Sequence, residues 1–305
     1  MSTYSIKNLA AAALRKASSL LAPTGTGRKV IFCLHSVNPA ANHSTIHPED
    51  FEGILKWLTE HTDVMGLETL LDADRDGNPR PAVALTFDDG HKDNLTHALP
   101  IARDHGVTFS VYVTVGLLEG DARARARFTA LLRQGKEDFT ALSWDDAEKL
   151  LEAGCPIGSH TWDHPMLSHL PDEGIEFQLR ESKEMISRRL GLHCIGMCYP
   201  YGKIGRNVDQ RVIRATERAG FAYGLCVEHR GIRPGEERFA IPRFIINSGD
   251  LERLGGQISG EEDFHGAISR RMPEFLARAL SPSDFHEPPH TPTPLISFPT
   301  PLPRP

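Results

Sequence analysis

The sequence of 305 residues predicts an α/β fold built on a parallel sheet. Three observations carry that expectation. Apolar, β-branched runs of strand length alternate with segments of helical periodicity over about 220 residues. Each intervening segment is long enough for the right-handed crossover that joins parallel strands. Several of the strand-like runs end in polar clusters, on the side where such folds gather their chemistry. The alternation alone fits a barrel, a partial barrel or an open doubly wound sheet.

The elements follow in order. Residues 1–27 begin "MSTYSIKNLAAAALRKASSLLAP", an apolar face interrupted by Lys7, Arg15 and Lys16. That pattern reads as an amphipathic helix, packed on the domain or making a peripheral membrane contact, and not as an export signal. The main domain is expected over 28–250. It opens with strand "KVIFCLHSV" (29–37), ending around His35, and helix "PEDFEGILKWLTEH" (48–61), whose Phe51, Ile54, Leu55 and Leu58 share a side. Strand "AVALTFDD", helix "NLTHALPIARDHG" and strand "TFSVYVTV" (108–115) come next. The Ser-capped, Gly-ended "SWDDAEKLLEAG" (143–154) is a helix with clear start and stop signals. The pattern continues with strand "PIGSHT", helix "DEGIEFQLRESKEMISRRLG", strand "IGMCYPYG" and helix "NVDQRVIRATERAG", then strands "YGLCVE" and "FAIPRFIIN" (239–247). Residues 251–280 read as a helical extension. Residues 281–305 hold nine of the 22 prolines and are expected to be extended and disordered.

Hydrophobic content of 40% and charged content of 24% are those of a soluble globular protein, and a net charge of -6 gives no nucleic-acid footprint. The "ARARARF" stretch (122–128) reads as one solvated helix face, with a contact to anionic lipid or substrate as the alternative. No run of 18 apolar residues is present, so no spanning helix is expected. The five cysteines are odd in number and lie mostly in apolar segments, which suggests buried free thiols and a cytoplasmic location. Cys194 and Cys198 have no second Cys/His pair close by in sequence and are assigned to core packing.

Three polar clusters close three different strands: Asp88-Asp89-Gly90, then His160 and His164 in "GSHTWDHP", then Pro200-Tyr201-Gly202 in "CYPYG". Strand ends of such a fold converge, so an Asp and two His make a three-ligand set for a divalent metal, with a position left for water. Two adjacent acids then divide the labour. One neutralises the cation, and the other takes the proton of a water that the cation acidifies.

"TFDDG" (86–90), "SHTWDHP" (159–165) and "YPYG" (199–202) resemble the first three motifs of the polysaccharide deacetylases, carbohydrate esterase family 4. The likeness spans roughly residues 28–250. It implies a distorted (β/α) barrel of about seven parallel strands and hydrolysis of N- or O-acetyl groups on a carbohydrate. It implies a divalent cation, zinc first, with cobalt, nickel or manganese as alternatives. Asp88 is then the general base; Asp89, His160 and His164 are the metal ligands. Tyr201 helps form the oxyanion hole through its backbone N–H. Many family members carry Arg where this chain has Cys198, and Arg243 in "IPRF" is the candidate to replace that guanidinium. No match to the motif of the general-acid His is found; His35 and His229 are the candidates. Cleavage of other linear or cyclic amides, and metal-dependent sugar binding without turnover, are the alternatives. A two-His, one-carboxylate Fe(II) oxygenase is disfavoured, because those usually sit on all-β folds. The sequence leaves the oligomeric state open.

Overall fold

The computed structural model describes residues 27–40, 44–133, 139–193 and 196–263. The expected N-terminal helix up to residue 26, residues 264–280, the Pro-rich tail and Cys194 lie outside them. Among the described residues the strands are β1 (Lys29–Leu34), β2 (Ser36–Val37), β3 (Thr45–Ile46), β4 (Asp63–Val64), β5 (Ala82–Phe87), β6 (Ser110–Val113), β7 (Ile157–Ser159), β8 (Gly196–Cys198), β9 (Tyr223–Leu225) and β10 (Phe244–Ile245).

Seven strands run in the order β10-β1-β5-β6-β7-β8-β9, every pairing parallel, and β4 pairs with the start of β5. Parallel neighbours need crossovers, and helices Pro48–His61, Trp144–Glu152, Asp172–Leu190 and Gln210–Arg218 lie in the connections. One segment touches both ends of the strand path. Ile241 makes a parallel bridge to Leu225, and three residues later Phe244 pairs with Phe32 of β1. The result is a distorted parallel barrel.

Successive strand residues alternate between its two faces. Val30, Phe32, Leu34, Val83, Leu85 and Phe87 join the core beneath the covering helices. The intervening Ile31, Ala84, Tyr112, Cys198 and Leu225 form a separate cluster on the other face. Tyr112 lies across this second space because β7 has Gly158 there: a Cβ at that position would stand 2.4 Å from the tyrosine ring. The Tyr112 and Tyr223 hydroxyls are 3.0 Å apart, and the Tyr223 hydroxyl donates to Glu68 Oε1 at 2.8 Å. Continuing the alternation past the strands' ends puts His35, Asp88 and His160 on that same face.

Three elements differ from the sequence expectation, each for a local reason. The first strand stops at Leu34; Ser36–Val37 leaves the sheet to pair with Thr45–Ile46, held by Asp93, whose Oδ2 accepts from Ser36 Oγ at 2.7 Å. The helix expected from Asn94 opens as a π-turn, Asn94–Ala98, and becomes α-helical only at Leu99. Pro100 has no N–H for a regular bond and its ring crowds the carbonyl four residues back, which favours the wider turn. The strand expected over 239–247 is reduced to Phe244–Ile245. Pro242 cannot donate to a ladder, and the Arg243 carbonyl turns instead to the N–H groups of Glu228 and His229. The Ser143 cap stands as read: its side chain accepts from Asp146 N, and the Asp146 carboxylate accepts from Ser143 N.

In the extension expected over 251–280, helix Leu251–Ser259 is described. No described helix is long and apolar enough to cross a membrane.

Candidate metal and catalytic site

The two acids that end β5 are set apart by a tight turn. Gly90 N donates to Asp88 O at 2.9 Å across Asp89, whose φ is 72°. This is a γ-turn with a left-handed central residue, a conformation that costs roughly 1–3 kcal/mol for a non-glycine residue. It turns the Asp89 side chain away from that of Asp88. Gly90 follows at φ 81°, where a Cβ would come within 3.1 Å of Val113. The third motif repeats the device: Gly202 N donates to Pro200 O at 2.7 Å across Tyr201, φ 62°.

Asp89 meets the second motif. Its Oδ1 lies 3.3 Å from His160 Nε2 and 3.4 Å from His164 Nε2, with all three residues buried. The His160 ring is oriented from behind, by a 2.9 Å bond between Nδ1 and the Cys198 carbonyl. A carbonyl only accepts, so Nδ1 carries the hydrogen and Nε2 presents a lone pair towards Asp89. His164 is turned inward by a left-handed backbone at φ 58° and by its N–H donating to Thr161 Oγ1 at 3.0 Å. Gln178 clasps the loop between the two histidines. Its Oε1 accepts from the N–H groups of Trp162 and Asp163, and its Nε2 donates to Asp163 Oδ1 at 2.6 Å.

The fit to a cation rests on an unsatisfied atom. Asp89 Oδ1 is buried and accepts no hydrogen bond, although two imidazole nitrogens face it. Ligand atoms of Asp89, His160 and His164 all lie within 4.8 Å of one another. One carboxylate and two neutral imidazoles suit a divalent transition metal. Burial opposes ionisation of Asp89, but the imidazoles of His160, His91 and His164 around it hold its pKa well below the ordinary range. Burial, the largest influence on His164, takes its pKa down to about 4. Burial also pulls His160 down, but Asp88 and Asp89 outweigh it and raise its pKa.

Asp88 meets a different set of partners. Arg243, with no solvent exposure, grips it with two parallel bonds: Nη1 to Oδ1 at 2.8 Å and Nη2 to Oδ2 at 2.8 Å. Arg243 Nη1 also donates to Thr86 Oγ1 at 2.9 Å. Burial works against the charged form of Asp88, but the guanidinium prevails and keeps its pKa far below the carboxylate norm. The Cys33 and Cys198 thiols donate to Oδ2 at 3.3 Å and 3.1 Å. Cys198 therefore does more than pack the core.

The structure brings Asp88, Asp89, His160, His164 and Arg243 together. His35 joins them: a ring nitrogen lies within 4.8 Å of both an Asp88 oxygen and the Cys33 sulfur. Burial lowers its pKa, against the charges of Asp89 and Asp88. His229 stands apart; its pKa of about 4 reflects burial, Arg253 and Lys203, with neither carboxylate among the influences. The Tyr201 ring lies 5.0 Å from that of His164. The "ARARARF" helix, Ala122–Arg133, is not simply a solvated face. Ala124 and Phe128 are buried, the Phe128 ring packs edge-on to His164 at 5.7 Å, and Arg127 Nε is 3.4 Å from Asp163 Oδ2.

Sequence reasoning passed over His91, whose Nε2 is 3.6 Å from Asp89 Oδ2. Its position just after "DDG" was the available signal. It also passed over Cys33, which shares a strand face with His35 and could have been placed by alternation. Gln178, distant in sequence on a helix, gave no signal.

Comparison with known proteins agrees with this geometry. The polysaccharide deacetylase family model matches residues 75–224, a span that includes both acids, both histidines and Tyr201 but stops short of Arg243. Over that span the chain matches the polysaccharide deacetylase family. The poly-β-1,6-N-acetyl-D-glucosamine N-deacetylase of Staphylococcus aureus (strain MRSA252) is 23% identical over 238 residues, 73% of this chain and 75% of that protein. IcaB from Ammonifex degensii superposes with a TM-score of 0.62 at 21% identity, covering 77% of this chain and 99% of the other. The Streptococcus pyogenes deacetylase PplD, solved with acetate, gives a TM-score of 0.62 at 17% identity, covering 76% and 99%. These structural likenesses concern the fold of this polysaccharide deacetylase relative.

Proposed function

We propose that this chain is a metal-dependent deacetylase that hydrolyses an N- or O-acetyl group on a carbohydrate, with an N-acetylated glucosamine polymer as the first candidate substrate. The observation that carries the reading is the separation of the two acids: Asp89 Oδ1 faces two imidazoles, while Asp88 is held by Arg243 a few ångströms away. Asp89, His160 and His164 are the residues to hold the cation. A divalent cation supplies Lewis-acid polarisation of an acyl oxygen and a lowered pKa for water.

The chain's own residues supply the rest. Asp88, kept ionised by Arg243, accepts the proton of the attacking water. The Tyr201 backbone N–H is assigned to the developing oxyanion; such a donor is worth ~3 kcal/mol of barrier. His35 is assigned as the donor of a proton to the departing amine or alcohol. Zinc is the first candidate metal, with cobalt, nickel and manganese next. The N-acetyl preference follows the Staphylococcus aureus relative, whose name states that chemistry.

The test is acetate release from poly-β-1,6-N-acetylglucosamine, chitooligosaccharides and acetylated xylan. The chain is assayed after chelation and again after addition of zinc, cobalt, nickel or manganese. The expected result is release from at least one substrate that disappears on chelation and returns with metal. Binding of the sugars without acetate release under every metal would favour a sugar-binding role; release indifferent to chelation would overturn the proposal.

A further inference from the structure

We propose that the thiols of Cys33 and Cys198 are positioning donors that make Oδ1, and not Oδ2, the proton-accepting oxygen of Asp88. The inference deepens the proposed function and rests on Asp88 being the base.

The carboxylate is held unevenly. Oδ1 receives one bond from the described side chains, from Arg243 Nη1 at 2.8 Å. Oδ2 receives three: Arg243 Nη2 at 2.8 Å, Cys198 Sγ at 3.1 Å and Cys33 Sγ at 3.3 Å. A carboxylate oxygen has about two lone pairs. Three donors therefore saturate Oδ2, while Oδ1 keeps the capacity for a further proton. A guanidinium clamp alone treats both oxygens alike, so the asymmetry comes from the sulfurs.

Neither cysteine has any solvent exposure, and Asp88 has 3%. A thiolate beside this carboxylate would set two anions together away from water, so both sulfurs keep their protons and donate. Cys33 has one alternative acceptor, Leu34 O, at the longer distance of 3.9 Å. Cys198 Sγ also accepts from Arg243 Nη2, which places it between the guanidinium and the carboxylate. The two cysteines come from β1 and β8, strands separated in the sheet by β5, β6 and β7, and they converge on one oxygen. Thiols are weak donors, but a charged acceptor strengthens such bonds.

The experiment compares the metal-loaded full chain with the pair Cys33→Ala/Cys198→Ala, the pair Cys33→Ser/Cys198→Ser, and Asp88→Asn. Acetate release from poly-β-1,6-N-acetylglucosamine is measured together with metal content. The alanine pair is expected to lose at least about tenfold in kcat, equivalent to ~1.4 kcal/mol of barrier, with KM and metal content held. The serine pair, whose hydroxyls can donate to the same oxygen, is expected to recover most of that loss. Equal impairment of both pairs would reduce the thiols to packing, and an undiminished alanine pair beside an inactive Asp88→Asn would overturn their role alone. A fully active Asp88→Asn would instead remove the reading of Asp88 as base.

An infrared measurement on the unmodified protein does not depend on how the variants fold. It should show a lowered S–H stretching component that shifts in Asp88→Asn. Its absence would overturn the proposal.

Discussion

Arg243 lies along the full edge of Asp88, one guanidinium nitrogen on each carboxylate oxygen at 2.8 Å, with the arginine wholly enclosed. The two residues are 155 positions apart and come from the end of β5 and the segment leading into β10, strands with only β1 between them. The third motif places the Cys198 thiol on Asp88, and the guanidinium comes from Arg243, outside that motif. The match to the family model ends before Arg243.

Arg243→Lys tests the bidentate grip. A lysine keeps a charge but offers a point and not a fork. We expect kcat to fall at least about tenfold, ~1.4 kcal/mol of barrier, with metal content unchanged. Steady-state kinetics with elemental analysis measures both.

Arg243→Met tests stability. It leaves Asp88 buried without its countercharge, which costs about 3–5 kcal/mol, and adding Asp88→Asn should restore a large part of that. The Asp88 pKa is depressed on folding, so the pair's contribution is full above the unfolded value of about 4 and is lost as pH falls towards the lower folded value. Urea unfolding of the single and double variants at pH 7 and pH 4 is the measurement.

Metal affinity should depend on pH through one proton. The raised pKa of His160 means that protons compete for its Nε2 from above the ordinary imidazole value, whereas His164, at about 4, stays deprotonated until far lower pH. Between these limits the affinity is expected to fall about tenfold per pH unit as pH is lowered. Zinc titrations at several pH values would show the slope, and a slope of two protons would contradict the difference between the imidazoles.

Gln178→Leu should loosen the loop that presents His164. Three hydrogen bonds to Trp162 and Asp163 disappear with the amide, while the side-chain volume is kept. Loss of such an outer support typically weakens metal binding by about 10–100-fold. Metal affinity should fall before activity at saturating metal does.

Much of the architecture was legible because parallel strands and amphipathic helices announce themselves by period. The β5 and β6 runs, the Ser143 cap and the helix from Asp172 could be placed from local pattern alone. Convergence of Asp89, His160 and His164 was legible because all three follow strands whose ends must meet. The short strands were not: β4 and the β2–β3 pair are two residues each, below any periodicity, and depend on distant partners such as Asp93. The Cys33–Asp88–Cys198 contacts were hidden for a related reason, since a buried thiol in an apolar strand has the same pattern whether it packs or donates.

The most direct measurement is acetate release by Asp88→Asn and by His160→Ala, with bound metal quantified in the same preparations. Asp88→Asn should retain about one metal ion per chain and lose at least about a hundredfold in kcat, as expected for removal of a general base. His160→Ala should lose metal and activity together. Full turnover by Asp88→Asn, or undiminished metal in His160→Ala, would contradict the division of work between the two neighbouring carboxylates.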